Sequence, residues 1–362
     1  MKVTDYDYNF PPESLAVYPP KKRGTSKLFV IRATSRDIEI TTYDQMFQYV
    51  GKDDLVIRNV TQVINSRLKV SIEGMVKEVE IFVLSIHEAI INGNTIRVPV
   101  LIKGNKKKLV GQIISLPDGW SVIIEETAKD TFFGDFISPE SNNGDLSPIF
   151  IDFLSKNGEI PLPPYLNRKP EKSDEKRYRT IFGREFGSAA APTASLNFTV
   201  DLESKLKKKG TELAEVVLHV GLGTFSPLRN EIVEENKLHS EFIDVSEKTI
   251  QQLKMRRVKE GKIVAIGTTA LRTLESITEQ ELNRGQAVRR ETDIFIYPPY
   301  QFRNADALMT NFHLPKSSLI ILVDAFLRSK NAVLSWREIY DFALKNDAKI
   351  FSYGDSMLIL PN

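Results

Sequence analysis

The chain contains no cysteine among its 362 residues. That absence excludes disulfides, thiolate catalysis and thiolate-bound zinc or iron–sulfur clusters together. Histidine is scarce as well. His87, His219, His239 and His313 are the only four, too dispersed for a close-spaced ligand motif such as H-E-x-x-H, so no metal site is expected. No apolar stretch approaches the ~20 residues that span a bilayer. The opening Met1-Lys2-Val3-Thr4-Asp5-Tyr6-Asp7-Tyr8 lacks the apolar centre of a secretion signal, so a cytoplasmic protein without membrane contact is expected. A strong charge imbalance is missing too: 49 Lys+Arg against 47 Asp+Glu leave +2, and the net field does not announce a nucleic-acid partner.

What is present is an ordinary globular composition, 41% hydrophobic and 27% charged, in a chain long enough for two domains with cores of their own. Positive charge clusters at Lys106-Lys107-Lys108, Lys207-Lys208-Lys209, Arg256-Arg257, Arg289-Arg290 and between Arg168 and Arg179. Most such clusters are solvated faces, and together they permit RNA binding without requiring it.

The chain has two textures. From about residue 68 to 136 it is a string of short alternating or β-branched runs (76–84, 95–102, 109–116, 120–125). Asn92-Gly93-Asn94, Gly104-Asn105 and Pro117-Asp118-Gly119 separate them, residues that accept tight-turn dihedrals. Short strands at regular spacing predict a small antiparallel β-barrel. After about Gly158 strands alternate with amphipathic helices. Ser246 predicts the N-cap of a helix with Ile250, Leu253 and Val258 on one side, ended by Gly261 before a strand over 263–266. Ser335 and Glu338 form a capping box ahead of Ile339, Phe342 and Ala343. Asp54-Leu55-Val56-Ile57 reads as a buried strand leading directly into the β-rich part, with too little before it for a separate core. The fold class is therefore α/β: a barrel-like main domain of residues 1–60 and 155–362, with a small antiparallel β-barrel inserted over 61–154. The proline-rich 161–170 segment reads as a stiff loop at the return crossing.

The densest chemistry lies between residues 263 and 317. Gly267-Thr268-Thr269-Ala270-Leu271-Arg272 with Glu275 comes first, then Glu291-Thr292-Asp293-Ile294-Phe295-Ile296-Tyr297-Pro298-Pro299-Tyr300, then Thr310-Asn311-Phe312-His313-Leu314-Pro315-Lys316-Ser317. Each follows or interrupts an apolar run, the place where an α/β sheet sets its ligands. Arg272 and Glu275, three apart on a helix, also fit an ordinary surface ion pair. Among the aromatics, Phe295 fits a core filler better than the tyrosines.

These signatures stand in order with Asp5-Tyr6-Asp7-Tyr8, Gly158-Glu159-Ile160-Pro161-Leu162-Pro163-Pro164-Tyr165, Ala191-Pro192-Thr193-Ala194, Leu218-His219-Val220-Gly221-Leu222-Gly223-Thr224-Phe225, His239-Ser240-Glu241 and Phe351-Ser352-Tyr353-Gly354-Asp355. In this the chain resembles the S-adenosylmethionine:tRNA ribosyltransferase-isomerases of queuosine biosynthesis over nearly its whole length. The resemblance implies that S-adenosylmethionine is a consumed co-substrate, with no cofactor. Its ribosyl unit passes to the aminomethyl-deazaguanine at the tRNA wobble position, adenine and methionine leave, and epoxyqueuosine forms. A monomer acting on a tRNA anticodon loop is expected.

Proton transfer beside the sulfonium then falls to His219 and His313, either as acid or base, with Asp355 and Glu241 as further catalytic candidates. His87 matches nothing in the family pattern. The donor is expected against Thr193, Asn197, Gly221, Gly223, Thr224, Gly267, Thr268, Thr269 and Arg272, whose amides and side chains suit ribose hydroxyls and a carboxylate. The tRNA base is expected against Tyr165, Arg168, Asp293, Tyr297, Tyr300 and Asn311, through stacking and edge hydrogen bonds. Departures from the family pattern are Asn197 in place of a histidine, Val60 and Gln62 in place of an Asp and an Arg, and Pro299 in place of a glycine. They keep a second reading open: a diverged relative that binds a nucleoside or RNA but has lost or altered the transfer.

Overall fold

The computed structural model describes residues 1–71, 78–104, 108–128, 131–140, 144–221 and 228–361. In chain order the first strands are β1 (Lys27–Arg32), β2 (Ile38–Thr42), β3 (Leu55–Asn59), β4 (Thr61–Val63), β5 (Arg67–Val70), β6 (Val79–Val83), β7 (Ile90–Asn92), β8 (Thr95–Lys103), β9 (Ile113–Ser115), β10 (Ser121–Ala128) and β11 (Thr131–Ile137). There follow β12 (Glu185–Ser188), β13 (Glu212–Leu218), β14 (Glu241–Val245), β15 (Ile263–Ile266), β16 (Val288–Thr292), β17 (Ala307–Asn311) and β18 (Ser356–Leu360). The helices are α1 (Ser147–Asn157), α2 (Lys172–Arg177), α3 (Val200–Lys209), α4 (Glu247–Val258), α5 (Thr268–Ser276), α6 (Glu279–Arg284), α7 (Ser318–Ser329) and α8 (Trp336–Lys345).

Nine strands hydrogen-bond in the order β16-β14-β13-β3-β15-β17-β18-β1-β2. β13, β3, β15 and β17 are mutually parallel. Both faces of this sheet are covered, which is why its central strands read as unbroken apolar runs. Phe29, Ile31, Leu55, Ile57, Ile263 and Ala265 enter one core with α4, α5, α7 and α8. Leu28, Val30, Val56, Val264 and Ile266 enter the other, with Leu202 and Leu206 of α3 and with Tyr43 and Met46.

A second, antiparallel sheet runs β5-β6-β8-β11-β10-β9, with β7 on β8. Its strands bury alternate residues, Ile96, Val98, Val100 and Ile102 in β8, beneath Phe150, Phe153 and Leu154 of α1. Among the described residues no ladder joins β9 to β5, so the sheet is open where the sequence suggested a barrel. The chain leaves the large sheet after β3 and rejoins it at β13, the strand beside β3. Exit and return are tied together by the parallel pair β4 and β12.

Local chemistry accounts for several boundaries. The Ser246 hydroxyl accepts from the Thr249 amide, and Ser335 and Glu338 cap one another's backbone amides. Two details differ from the sequence reading. The 109–116 run gives a strand only over Ile113–Ser115. Val258, expected on the inner stripe of α4, is 86% exposed, because it ends the helix after Ile250 and Leu253 have completed the stripe.

Candidate active site

Because β13, β3, β15 and β17 are parallel, their C-terminal ends share one edge of the sheet. β14 is antiparallel to β13, β16 to β14 and β18 to β17, so the start of β14, the end of β16 and the start of β18 lie on that same edge. His219, Gly221, Glu241, Gly267, Asp293, Asn311, His313 and Asp355 therefore sit on one rim, although they are far apart in sequence. It is the rim at which α/β sheets bind ligands.

Gly267 makes the sharp passage from β15 to α5, with φ of 93° that a side chain would strain. α5 is buried all round, which overturns the surface ion pair between Arg272 and Glu275. Glu275 instead accepts from the backbone amides of Arg303 (3.0 Å) and Asn304 (2.8 Å) and from the Tyr300 hydroxyl (3.3 Å). Burial raises its proton affinity. Arg272 turns to Glu241, donating through Nη1 to Oε2, while its Nε donates to the Ile294 carbonyl at 3.3 Å. The other Glu241 oxygen accepts the Gly221 amide at 3.2 Å. Arg272 Nη2, and Thr269 Oγ1 one turn earlier, are buried and have no hydrogen-bond partner among the described residues. Buried donors without acceptors are uncommon in folded proteins. An anionic or hydroxyl-bearing ligand within reach would satisfy both.

His219 follows β13. Its Nδ1 lies 2.7 Å from Thr61 Oγ1, and its ring stacks on His87 at 3.7 Å between centroids. Burial, and secondarily the nearby His87, lowers its proton affinity to a pKa of about 3. His313 is placed otherwise. Its Nε2 meets Thr310 Oγ1 at 3.0 Å, its amide donates to the Tyr340 hydroxyl, and its carbonyl accepts the Tyr8 hydroxyl. Burial brings its pKa to about 3 as well. The surroundings are those of a satisfied core histidine.

A third group gathers where the 351–355 turn meets β17. Thr193 Oγ1 donates to Asn311 Oδ1 at 2.9 Å, Asn311 Nδ2 to the Asp355 carbonyl at 3.4 Å, and Asn197 Nδ2 to the Gly354 carbonyl at 3.5 Å. The Asp355 carboxylate accepts the amides of Lys27 and Lys349, both at 2.7 Å, so both its oxygens bind backbone; burial raises its proton affinity. Tyr165 bonds Ser352 through its hydroxyl and packs on Phe351. Arg168 is held by Asp174 through two bonds of 2.6 and 2.7 Å and lies over Tyr18. Asp293 is exposed, while Tyr297 and Tyr300 are half-buried against the core. Phe295, which fitted a core filler better than the tyrosines, is partly buried against the same core as they are, while Ile296 beside it is fully buried. Gly223 and Thr224 lie outside the described residues.

The sequence reading passes over Tyr340, which meets the His313 amide, and names Tyr8, Thr310 and His87 without a site role. Tyr340, Tyr8 and His87 reach the site through tertiary contact, Thr310 through its neighbour three residues on. Among the described residues, no three His, Asp or Glu side chains are grouped to hold a metal. A cavity of about 420 Å³ flanks β13, and among the charged side chains in its wall Arg184 pairs with Glu215 and Arg289 with Asp244.

The family described as queuosine biosynthesis protein matches residues 3–359. A relative from Halothermothrix orenii, an S-adenosylmethionine:tRNA ribosyltransferase-isomerase, is 40% identical over 99% of this chain and all of its own length. A relative of the same description from Thermosipho africanus is 39% identical, again over 99% and 100%. The crystal structure of S-adenosylmethionine tRNA ribosyltransferase from Thermotoga maritima matches with a TM-score of 0.53 and 30% identity, over 98% of this chain and 100% of that one.

Proposed function

The chain belongs to the queuosine biosynthesis family, and from that premise we propose that the strand-end rim holds S-adenosylmethionine beside a tRNA base and carries the ribosyl unit between them. The activity is that of an S-adenosylmethionine:tRNA ribosyltransferase-isomerase. A binding-only relative is not favoured, given 40% identity along 99% of the chain. The observation that carries the assignment of the site is the convergence of the β13, β3, β15 and β17 ends, which gathers His219, Arg272, Thr269 and Asn311 on one edge.

In this reading Arg272 Nη2 and Thr269 Oγ1 bind the donor's polar groups, with Gly221, Gly267 and Thr268 supplying the surrounding backbone and hydroxyls. Thr193, Asn197 and Asn311 close the pocket on the 351–355 side. His219, kept neutral by burial, is the proton acceptor beside the sulfonium carbon. His313 orders the end of β17 and Asp355 the start of β18, and neither needs to titrate. Asp293, Tyr297 and Tyr300 receive the aminomethyl-deazaguanine of the anticodon loop. Tyr165, and Arg168 with its Asp174 partner, shape the wall behind it.

The donor is consumed and no cofactor takes part. The enzyme acts as a cytoplasmic monomer, and no helix among the described residues is long and apolar enough to cross a membrane. Residues 61–154 form an inserted antiparallel β unit in a discontinuous α/β domain of residues 1–60 and 155–362.

Purified protein incubated with labelled S-adenosylmethionine and a tRNA bearing the aminomethyl-deazaguanine base is the direct test. Release of adenine and methionine with a mass gain on the tRNA is expected. Intact donor and unaltered tRNA would overturn the reading.

A further inference from the structure

The loop after β6 carries His87 out of the antiparallel sheet and onto the rim of the large one. Its imidazole stacks on His219 at 3.7 Å and 23°, and on Phe242 of β14 at 4.8 Å and 7°. Gly187 leaves the room for this. A Cβ there would overlap His87 Nε2 and lie 3.1 Å from the His219 ring. On its edge, His219 is fixed through Nδ1 by Thr61 at 2.7 Å. Its Nε2 has no hydrogen bond to protein among the described residues. One nitrogen is thus anchored, one ring face is covered and the second nitrogen has no partner among the described residues, which is how a base is held for use.

We infer that His87 is a positioning residue for the transfer reaction: by packing its ring on both Phe242 and His219, which themselves lie 6.1 Å apart, the loop of the antiparallel sheet fixes the His219 ring with Nε2 toward the donor. The inference rests on the reading of His219 as the proton acceptor. It also joins the two sheets in one function, since a ring from the antiparallel unit completes a rim built by the other. Two stacked imidazoles cannot both hold a proton cheaply, so each opposes protonation of its neighbour. Burial lowers the proton affinity of His87, but less than that of His219, because it keeps an exposed edge and Glu291 and Asp244 nearby favour its charge; Glu88 lies beside it on the loop. It is accordingly the first of the two to charge as pH falls, and its charge keeps His219 neutral.

The test compares His87→Ala and His87→Phe with the wild type. Loss of the ring in His87→Ala lowers kcat by about tenfold or more while the KM for S-adenosylmethionine moves little, because ring placement and not donor binding is disturbed. His87→Phe restores the flat surface and recovers most of kcat, yet the acid limb of its kcat/KM profile moves to higher pH because the competing charge is gone. Imidazole NMR of the protein alone reads the same coupling without turnover. There, His219 titrates at higher pH in His87→Phe. A wild type that releases no adenine overturns the proposed function, and the NMR comparison then decides the inference by itself. An unmoved His219 titration, or a His87→Ala enzyme with unaltered kcat and pH profile, overturns it.

Discussion

Arg272 and Glu241 form an ion pair whose side chains are 4% and 3% exposed, one from the second turn of α5 and the other from the first residue of β14. The pair fastens the helix after Gly267 to the strand beside His219, and through Glu241 Oε1 it also holds the Gly221 amide. Removing the carboxylate leaves a guanidinium buried without its counter-charge. Glu241→Ala is expected to lose about 3–5 kcal/mol in urea unfolding. Arg272→Lys puts a point charge in place of a planar fork, so calorimetric titration is expected to show at least tenfold weaker S-adenosylmethionine binding, about 1.4 kcal/mol. A Glu241→Ala protein as stable as wild type would show that the pair has no structural role.

The two buried histidines fix the pH dependence of folding. His219 and His313 are both held to a pKa of about 3, against an ordinary 6.5 in the unfolded chain, chiefly by burial. The unfolded state therefore binds protons that the folded state refuses. Stability is full above pH 6.5 and falls as pH drops toward 3. At pH 5 each contributes a loss of about 2 kcal/mol, 1.5 pH units below the unfolded value. Urea midpoints between pH 7.5 and 5 measure this. His313→Gln, which cannot charge, is expected to flatten the slope by roughly half, and an unaltered slope would show that His313 does not titrate on unfolding.

Much of the frame was legible in the residues. Ile263–Ile266, the turn at Gly267 and the caps at Ser246 and Ser335 follow from apolar runs and short-range hydrogen bonding, interactions local enough to appear in sequence. What escaped was set by tertiary contact. Spacing offers Glu275 as the partner of Arg272, yet a helix buried on every side lets Arg272 reach Glu241 and leaves Glu275 to the amides of residues 303 and 304. His87 carries no signal at all until the antiparallel sheet is folded against β14. The rim itself is a product of strand order, and no run along the chain encodes that order by itself.

Asn197 stands where the family pattern has histidine, and restoring it is an informative substitution. Asn197 is 3% exposed and donates to the Gly354 carbonyl. A larger ring in a filled space costs about 1–3 kcal/mol through displaced neighbours. Asn197→His is expected to unfold at lower urea concentration and to gain no turnover. A rise in kcat would instead make position 197 part of the proton-transfer machinery.

Asp355 separates a structural carboxylate from a catalytic one. Both its oxygens accept backbone amides, Lys27 at the start of β1 and Lys349 ahead of the 351–355 turn. That turn also presents the Gly354 carbonyl to Asn197 and the Asp355 carbonyl to Asn311. In Asp355→Asn one acceptor becomes a donor facing an amide N–H, and the stranded amide costs about 1–3 kcal/mol. Turnover is expected to fall with the folded fraction and with the loosening of Asn197 and Asn311. The shape of the pH–rate profile is expected to stay as in wild type, because a group that clamps backbone takes no proton in the reaction. Loss of one limb of that profile in a folded Asp355→Asn enzyme would identify Asp355 as a titrating catalytic group.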